Sequence, residues 1–366
     1  MTDKLRLVLI FGGRSGEHEV SLQSARSVLG ALNHEKYAIY EVGITHDGVW
    51  KTGPNALEAF ENQQTDRLDE ALLLRESGRV QLAIRQNNQL VILSPVDVVF
   101  PVLHGTYGED GTLQGLLEIQ DVAYVGAGVL GASIAMDKAI CKQIVQSLSI
   151  PVLPYRVFTR QQVRADFATV IAESELVAPY PLFVKPANLG SSVGISKASN
   201  RAQLEKAVQK AARYDRRILV ESGIDAREIE ISVLGNEDAI VSVPGEIVPG
   251  DVFYTYEDKY HHGDPETAIP APLSDAQATL LRDYALRAYH GIDAAGMARV
   301  DFLLDKATGQ PYFNEINSIP GFTRISMYPK LLAYSGLEYS ALVDKLISLA
   351  LERKAEQDET VRKYEE

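Results

Sequence analysis

The hydrophobic pattern of the first third of the chain alternates between buried strands and an amphipathic helix. Residues 5–11 form a continuous apolar run, which is typical of a strand buried on both faces of a parallel sheet. Apolar residues recur at helical spacing over residues 21–32, and residues 37–44 and 96–103 predict two further strands. This pattern indicates an α/β domain whose ligands bind at the carboxyl ends of its strands. Residues 51–94 carry a weaker signal, from which we predict only a β-hairpin.

Glycine-rich loops follow two of these strands and carry candidate site residues. The first loop, residues 12–19, contains Glu17 and Glu19 but not the GxGxxG pattern of dinucleotide-binding sites. Two acids are unfavourable for a pyrophosphate, so this loop favours a cationic ligand such as an ammonium group. Alternatively, both acids only complement a helix N-terminus. The second loop, residues 104–111, begins with His104, which is either a structural hydrogen-bonding group or a site residue.

Two lysines in the middle of the chain are suited to phosphate binding. A predicted helix at residues 136–148 contains Lys138, and a predicted strand at residues 182–185 ends in Lys185. A loop rich in glycine and serine follows Lys185. A lysine beside such a loop predicts a phosphate clamp, although the Walker pattern GxxxxGK[ST] is absent. The alternative is a plain hairpin with a second strand at residues 192–197.

A long stretch of unusual composition follows a further buried strand. Residues 217–222 predict that strand, with Glu221 near its end. Glycine, proline, aspartate, tyrosine and histidine then dominate residues 244–270, with little periodicity. Loops of this length are usually functional and often close over a site. We therefore predict a lid that contains Lys259 and Tyr260.

Residues 296–326 predict a hairpin with one apolar and one polar face. Its strands are expected at residues 297–304 and 312–317. Side chains alternate across a strand. The polar face is therefore expected to carry Arg299 and Asp301 from the first strand, and Phe313, Glu315 and Asn317 are expected to share one face of the second. Pairing about Gly309 would place Asp301 near Asn317 and diagonal to Glu315.

The acids and the amide of this hairpin indicate a cation site. Asp301, Glu315 and Asn317 offer oxygen ligands, which suit a hard cation such as Mg²⁺. Neither histidine nor cysteine joins them, which disfavours zinc. The alternative is a solvated face that carries charge without binding a metal.

Composition narrows the class of protein. The chain has 366 residues, which suggests two or three domains. Its formal net charge of −13 excludes bulk electrostatic attraction to nucleic acid or to an anionic membrane. Cys141 is the only cysteine, so no intramolecular disulfide is possible, and we predict a buried structural thiol. The absence of a signal-like start and of an 18-residue apolar run predicts a cytoplasmic protein.

Several motifs occur in an order that resembles one family. They are GGRSGEHEVSLQSA, HGTYGEDGTLQG, MDK, FVKPANLGSSVG, KY in the long loop, GMARVDF and NEINSIPGFTRIS. Together they resemble the D-alanine–D-alanine ligases of the ATP-grasp superfamily, from about residue 4 to 350. The resemblance implies an N-terminal α/β domain at 1–131, and a two-domain ATP-grasp fold at 132–220 and 221–366. It also implies a lid at about 245–270 and a metal-binding hairpin at 296–326.

The resemblance further implies where ATP and metal ions bind. ATP would lie between the last two domains. Its phosphates and nucleoside would be contacted by Lys138, Lys185, Ser191, Ser192, Lys259, Glu221 and Glu228. Two Mg²⁺ or Mn²⁺ ions would be held by Asp301, Glu315 and Asn317.

The substrate side follows from the same resemblance. Glu17 would anchor the ammonium of the first D-alanine in a network with Ser191 and Tyr260, and His104 would support it. Arg299 and the Gly321 amide would stabilise developing charge, and Ser326 would contact the second D-alanine. We expect Arg299 to serve the intermediate rather than to act as a salt-bridge partner of Asp301.

The implied reaction is ATP-dependent ligation of two D-alanine molecules through D-alanyl phosphate, for peptidoglycan precursor synthesis. D-lactate or D-serine as acceptor is the nearest alternative, and Tyr260 goes with amide-forming members of the family. More distant alternatives are a nicotinamide-dependent dehydrogenase and an inactive nucleotide-binding module. The resemblance also predicts a homodimer.

Overall fold

The first of three β-sheets contains the parallel strands that the apolar runs predict. The computed structural model describes residues 4–190, 193–248 and 266–363. This sheet has the order β6-β5-β4-β3-β2-β1-β7-β8, and β2, β1, β7 and β8 are parallel. Its strands are β1 Leu5–Gly12, β2 Tyr37–Ile44, β3 Trp50–Thr52, β4 Asp69–Glu76, β5 Arg79–Gln86, β6 Gln89–Pro95, β7 Val98–Pro101 and β8 Ala123–Tyr124. The helices are α1 His18–Leu29, α2 Ala56–Glu61 and α3 Thr112–Gln120.

The second sheet is antiparallel and has the order β11-β10-β12-β9. Its strands are β9 Tyr155–Thr159, β10 Leu182–Pro186, β11 Ser196–Ala198 and β12 Arg217–Ser222. The helices of this stretch are α4 Val129–Met136 and α5 Lys138–Ser147, which pack in the core of the third sheet, and α6 Arg160–Ala165, α7 Phe167–Glu175 and α8 Arg201–Tyr214, which pack on the second sheet. The single helix predicted at 136–148 is corrected, because Met136 ends α4 and Asp137 caps α5. The Asp137 carboxylate accepts hydrogen bonds from the amides of Ala139 and Ile140.

The third sheet has the order β16-β15-β13-β17-β18, and β14 pairs with β13. Its strands are β13 Ala226–Gly235, β14 Ile240–Val241, β15 Gly245–Val248, β16 Glu266–Ala268, β17 Gly296–Asp305 and β18 Pro311–Asn317. After β16, the described residues form the helices α9 Asp275–Gly291, α10 Met327–Tyr334 and α11 Tyr339–Asp358. The predicted lid is corrected at both ends, because β15 and β16 pair with each other. Residues 249–265, which lie between these strands, are outside the described residues.

The hairpin β17–β18 forms where the sequence predicts it, but with a different register. Asp301 lies opposite Glu315, whereas Phe302 lies opposite Phe313. Asn314 is therefore an extra residue, and such a bulge turns the following side chains to the other face. The prediction that Phe313 and Glu315 share a face is wrong, since Phe313 packs in the apolar core.

The last helix brings the first and third sheets together. Apolar residues of α11 and Phe322 pack in one cluster with Leu7 and Leu9 of β1 and Phe100 of β7. The segment after β18 consequently lies beside the loops that follow β1 and β7. Among the described residues, no helix is long and apolar enough to cross a membrane.

Candidate active site

The Glu17 side chain lies between two glycine-containing loops. A Cβ atom on Gly105 would stand 2.6 Å from Glu17 Oε2, and one on Gly190 would stand 2.8 Å from the same oxygen. Ser15 joins the backbone at Glu17 to the loop that begins at His104. Its hydroxyl donates a hydrogen bond to the His104 carbonyl at 2.7 Å and accepts one from the Glu17 amide at 3.1 Å. Side chains on either glycine would collide with the carboxylate. The loops after β1, β7 and β10 thus meet at Glu17.

His104 connects three parts of the chain through its ring. Nδ1 lies 3.0 Å from the Ile319 carbonyl oxygen, and Nε2 lies 3.0 Å from Ser24 Oγ on α1. The ring is buried, and burial lowers the pKa of His104. A neutral imidazole with both nitrogens engaged suits a supporting role beside Glu17. The predicted role of His104 beside the substrate stays a prediction.

Glu109 is a site acid that the sequence analysis did not single out. Its carboxylate accepts the Gly105 amide at 2.8 Å and the Ile319 amide at 3.0 Å. Burial, together with the negative charge of Glu17, raises the pKa of Glu109 to about 8. The glycine-rich loop 104–111 was the available signal, but its spacing does not distinguish Glu109 from a solvated acid.

Arg299 is held by two carboxylates. Its Nε and Nη2 atoms donate to the two oxygens of Asp301 at 2.7 and 2.6 Å, and Nε lies 3.1 Å from Glu230 Oε2. Burial opposes the charge of Arg299, but Asp301 and Glu230 outweigh it and raise the pKa of the guanidinium. The expectation that Arg299 is not a salt-bridge partner of Asp301 is therefore corrected. Neighbouring side chains of one strand face, at i and i+2, form the pair.

The predicted metal ligands come together on the paired strands. Asp301 is directly opposite Glu315, and Asn317 Nδ2 donates to Asp301 Oδ2 at 3.0 Å. Side chains that are directly opposite on an antiparallel pair have Cβ atoms about 4.5–5.5 Å apart, so two carboxylates can share a cation. Two acids and one amide oxygen match the preference of Mg²⁺ for hard oxygen ligands. These residues fit the implied metal ions.

Lys138 connects the glycine-serine loop to this hairpin. Its Nζ donates to the Leu189 carbonyl oxygen at 2.7 Å and lies 3.2 Å from Glu315 Oε2. Lys138 is the first residue of α5, and its amide donates to the Ala187 carbonyl at 2.9 Å. The lysine therefore stands between the predicted phosphate loop and the predicted metal ligands.

Lys185 belongs to a buried group of charges. Glu221 Oε2 lies 2.7 Å from Lys185 Nζ, and Glu221 Oε1 lies 2.5 Å from Lys142 Nζ. Lys185 also donates to Asn314, the extra residue of the β18 bulge, at 3.2 Å. The sequence analysis missed Lys142, whose ammonium donates to the Phe313 carbonyl at 3.3 Å. Since both oxygens of Glu221 face lysines, the contact predicted with adenine or ribose stays untested.

The other predicted site residues fall into two groups. A Cβ on Gly321 would stand 3.1 Å from Ser326 Oγ, so these two predicted substrate groups are adjacent. Glu228 is exposed on β13, and its charge helps to raise the pKa of Lys185 against the opposing effect of burial. Ser191, Ser192, Lys259 and Tyr260 lie outside the described residues.

The family models and the relatives that match this chain all name the same ligase family. The family model described as D-ala D-ala ligase N-terminus matches residues 6–127, and D-ala D-ala ligase C-terminus matches residues 144–348. A D-alanine--D-alanine ligase of Heliobacterium modesticaldum is 48% identical over 353 residues, 96% of each chain. The corresponding protein of Chloroherpeton thalassium is 48% identical over 361 residues, 97% of this chain and 98% of that one.

Solved structures of similar fold include ligases for two acceptors. The D-alanine-D-alanine ligase of Coxiella burnetii has a TM-score of 0.82 at 33% identity, covering 98% of this chain and 97% of its own. The VanG D-Ala:D-Ser ligase of Enterococcus faecalis also has a TM-score of 0.82 at 33% identity, covering 95% and 100%.

Proposed function

The chain belongs to the D-alanine–D-alanine ligase family, and we propose that its reaction takes place where the hairpin β17–β18 meets Glu17, Lys138 and Lys185. It has the ATP-grasp fold of its relatives and is an ATP-dependent ligase. It joins two D-alanine molecules into D-alanyl-D-alanine, a precursor of peptidoglycan.

One observation carries the location of this site. The hairpin and the segment after it contact two groups of residues. We call the group around Lys138 and Lys185 the lysine side of the site, and the group around Glu17 and Glu109 the acid side. Glu315 pairs with Lys138, whereas the amide and carbonyl of Ile319 bind Glu109 and His104. A phosphoryl donor held by the lysines would therefore lie close to an amino acid held by Glu17. Such placement of two reactants is a large source of rate enhancement.

The lysine side is assigned to ATP. Lys138 and Lys185 would contact the phosphates, with Lys185 oriented by Glu221 and Asn314. Asp301, Glu315 and Asn317 would hold two Mg²⁺ or Mn²⁺ ions, whose charge would neutralise the transferring phosphoryl group. Phosphoryl transfer needs mainly positioning and charge neutralisation, and in this proposal the lysines and the metal ligands would supply both.

The acid side is assigned to the amino acids. Glu17 would bind the ammonium of the first D-alanine. The carboxylate of that D-alanine can then attack the γ-phosphorus of ATP and release ADP. The amine of the second D-alanine then attacks the acyl carbon of the resulting D-alanyl phosphate. The peptide bond forms as inorganic phosphate leaves, and the departing phosphate can accept the proton that the amine loses. Arg299, whose Nε and Nη2 donate to Asp301, would stabilise the oxyanion of this second step together with the Gly321 amide.

Removing a metal ligand tests this assignment. Asp301→Asn and Glu315→Gln should each lower ligase turnover by at least about 10²-fold, as loss of a transition-state charge partner does. Glu237→Gln, an exposed acid in the turn after β13, is the matched control and should keep full activity. Phosphate release is measured at saturating Mg²⁺, with circular dichroism to check the fold. Full activity of either variant would overturn the metal assignment.

The acceptor is distinguished by competition. The family assignment favours D-alanine over the D-lactate and D-serine alternatives, and it removes the dehydrogenase and inactive-module alternatives. Equal concentrations of D-alanine and D-serine, with mass spectrometry of the products, should give D-alanyl-D-alanine in excess.

We also propose that the ligase is a cytoplasmic homodimer. Strand β6 lies at one end of the first sheet and exposes four successive apolar side chains, residues 90–93. An apolar edge strand can pair with a second copy of itself across a twofold axis. Light scattering after size exclusion should give twice the chain mass of 40.2 kDa. A monomer at micromolar concentration would refute this state.

A further inference from the structure

Two histidines and a glutamate meet beside the loop that carries Glu17. His18 and Glu19 open α1, and His46 follows β2. One ligand atom from each residue lies within 4.8 Å of those of the other two. The two imidazole rings stack with centroids 3.9 Å apart, and His46 Nε2 lies 3.9 Å from Glu19 Oε1. Three potential ligands therefore converge from two separate segments.

His18 is oriented as metal-binding histidines are. Its Nδ1 lies 2.9 Å from the Gly13 carbonyl oxygen, so Nδ1 carries the proton and Nε2 offers a lone pair. A backbone carbonyl behind the ring fixes the orientation of the ligand nitrogen.

Glu19 and His46 can move to complete the ligand group. Both side chains are largely exposed, at 71% and 70%, so they can change rotamer, and for His46 this change breaks the ring stack with His18. Bonds from nitrogen or carboxylate oxygen to Zn²⁺ are about 2.0–2.2 Å long, so the three atoms must approach by about 1 Å. Exposed rotamers permit such a movement. Two imidazoles and one carboxylate favour a borderline-soft transition metal over Mg²⁺.

We propose that His18, Glu19 and His46 bind one transition-metal ion of the Zn²⁺ class, with water in the remaining position. This ligand group has nitrogen donors, unlike the oxygen donors Asp301, Glu315 and Asn317 of the hairpin. The ion would tie the start of α1 to the end of β2.

Metal binding at this position would affect the loop that carries Glu17. This expected effect rests on the proposed function of Glu17. Glu17 immediately precedes His18, so a bound ion would restrict the backbone that positions the ammonium anchor. We expect occupancy to change the KM for the first D-alanine more than kcat. The two assays below separate this consequence from binding itself.

Metal binding is measured first, without ATP or D-alanine. The full chain, freed of metals and then saturated with Mg²⁺ to occupy oxygen sites, is titrated with Co²⁺, and visible absorption reports nitrogen coordination. We expect one Co²⁺ ion per chain, displaced by Zn²⁺. Glu19→Gln and His46→Gln should each weaken binding at least about tenfold, since losing even an outer partner of a ligand costs that much. His34→Gln, an exposed histidine in the turn before β2, is the control and should bind as the wild type does.

The results are decisive in both directions. Absence of saturable Co²⁺ binding, or equal affinity in His46→Gln and His34→Gln, would overturn the metal site. Because this titration needs no turnover, it stands independently of the ligase assignment. In the second assay, Zn²⁺ should change the KM for the first D-alanine in the wild type and leave it unchanged in His46→Gln.

Discussion

Replacing Glu221 by glutamine removes the carboxylate that lies between two buried lysines. Lys142 Nζ and Lys185 Nζ stand 2.5 and 2.7 Å from its oxygens. Lys142, Glu221 and Lys185 are only 0%, 1% and 9% exposed. Water cannot replace the lost charge in such a setting. Breaking a buried ion pair from one side typically costs about 3–5 kcal/mol, and we expect Glu221→Gln to lower the free energy of unfolding by that amount.

Lys142→Met provides the contrasting perturbation. It removes one cation and leaves Glu221 paired one-to-one with Lys185. Burial already lowers the pKa of Lys142, so the charge of Lys142 is less favoured than the charge of Lys185. The main loss is the hydrogen bond to the Phe313 carbonyl, worth about 1–2 kcal/mol. Lys142→Met should therefore destabilise less than Glu221→Gln, and the double variant should recover part of the Glu221→Gln cost.

Urea unfolding followed by far-ultraviolet circular dichroism measures these differences, with the m-values compared. Glu173→Gln removes an acid that pairs with Arg156 on the surface and is the matched control, with an expected cost of at most about 1 kcal/mol. The reasoning is refuted if Glu221→Gln costs no more than this control, or if Lys142→Met costs more than Glu221→Gln.

Three further predictions concern the substrate side. Arg299→Lys keeps the charge but loses the planar guanidinium that Asp301 holds. The kcat should therefore fall by about 10²–10³-fold, with little change in the KM for ATP. An unchanged kcat would contradict the oxyanion role. Glu109 gains its negative charge as pH rises through its pKa of about 8, so the KM for the first D-alanine should fall between about pH 7 and 9. Glu109→Gln should flatten this profile. A slope that persists in the variant would show that another group titrates. Gly190→Ala would place a methyl group 2.8 Å from Glu17 Oε2, so the KM for the first D-alanine should rise while Gly16→Ala, where a Cβ meets nothing within 4 Å, has little effect.

The positions of strands could be predicted from the sequence because burial imposes a simple pattern on them. The apolar run of β1 and the alternation of β17 both mark real strands. Register was harder to predict, because one extra residue at Asn314 reverses the faces of β18 without changing its composition. The bulge places Phe313 in the core and Asn314 against Lys185. Tertiary packing, rather than local propensity, selects that arrangement.

Two charged residues of the site escaped prediction for a related reason. Lys142 is one turn after Lys138 and resembles a lysine on a solvated helix face until β18 covers it. Glu109 is one of several polar residues in a glycine-rich loop, and only the approach of Ile319 buries it. Both depend on contacts between segments that are far apart in sequence. Residues 51–94, with β3 to β6, likewise gave little more than one hairpin.

The chain makes D-alanyl-D-alanine with ATP as the phosphoryl donor. The direct measurement incubates the full chain with D-alanine, ATP and Mg²⁺, and quantifies ADP, phosphate and dipeptide together. We expect equal amounts of all three products, and ¹⁸O transfer from the D-alanine carboxylate into the released phosphate. ADP and phosphate without dipeptide, or dipeptide without ¹⁸O transfer, would contradict this expectation.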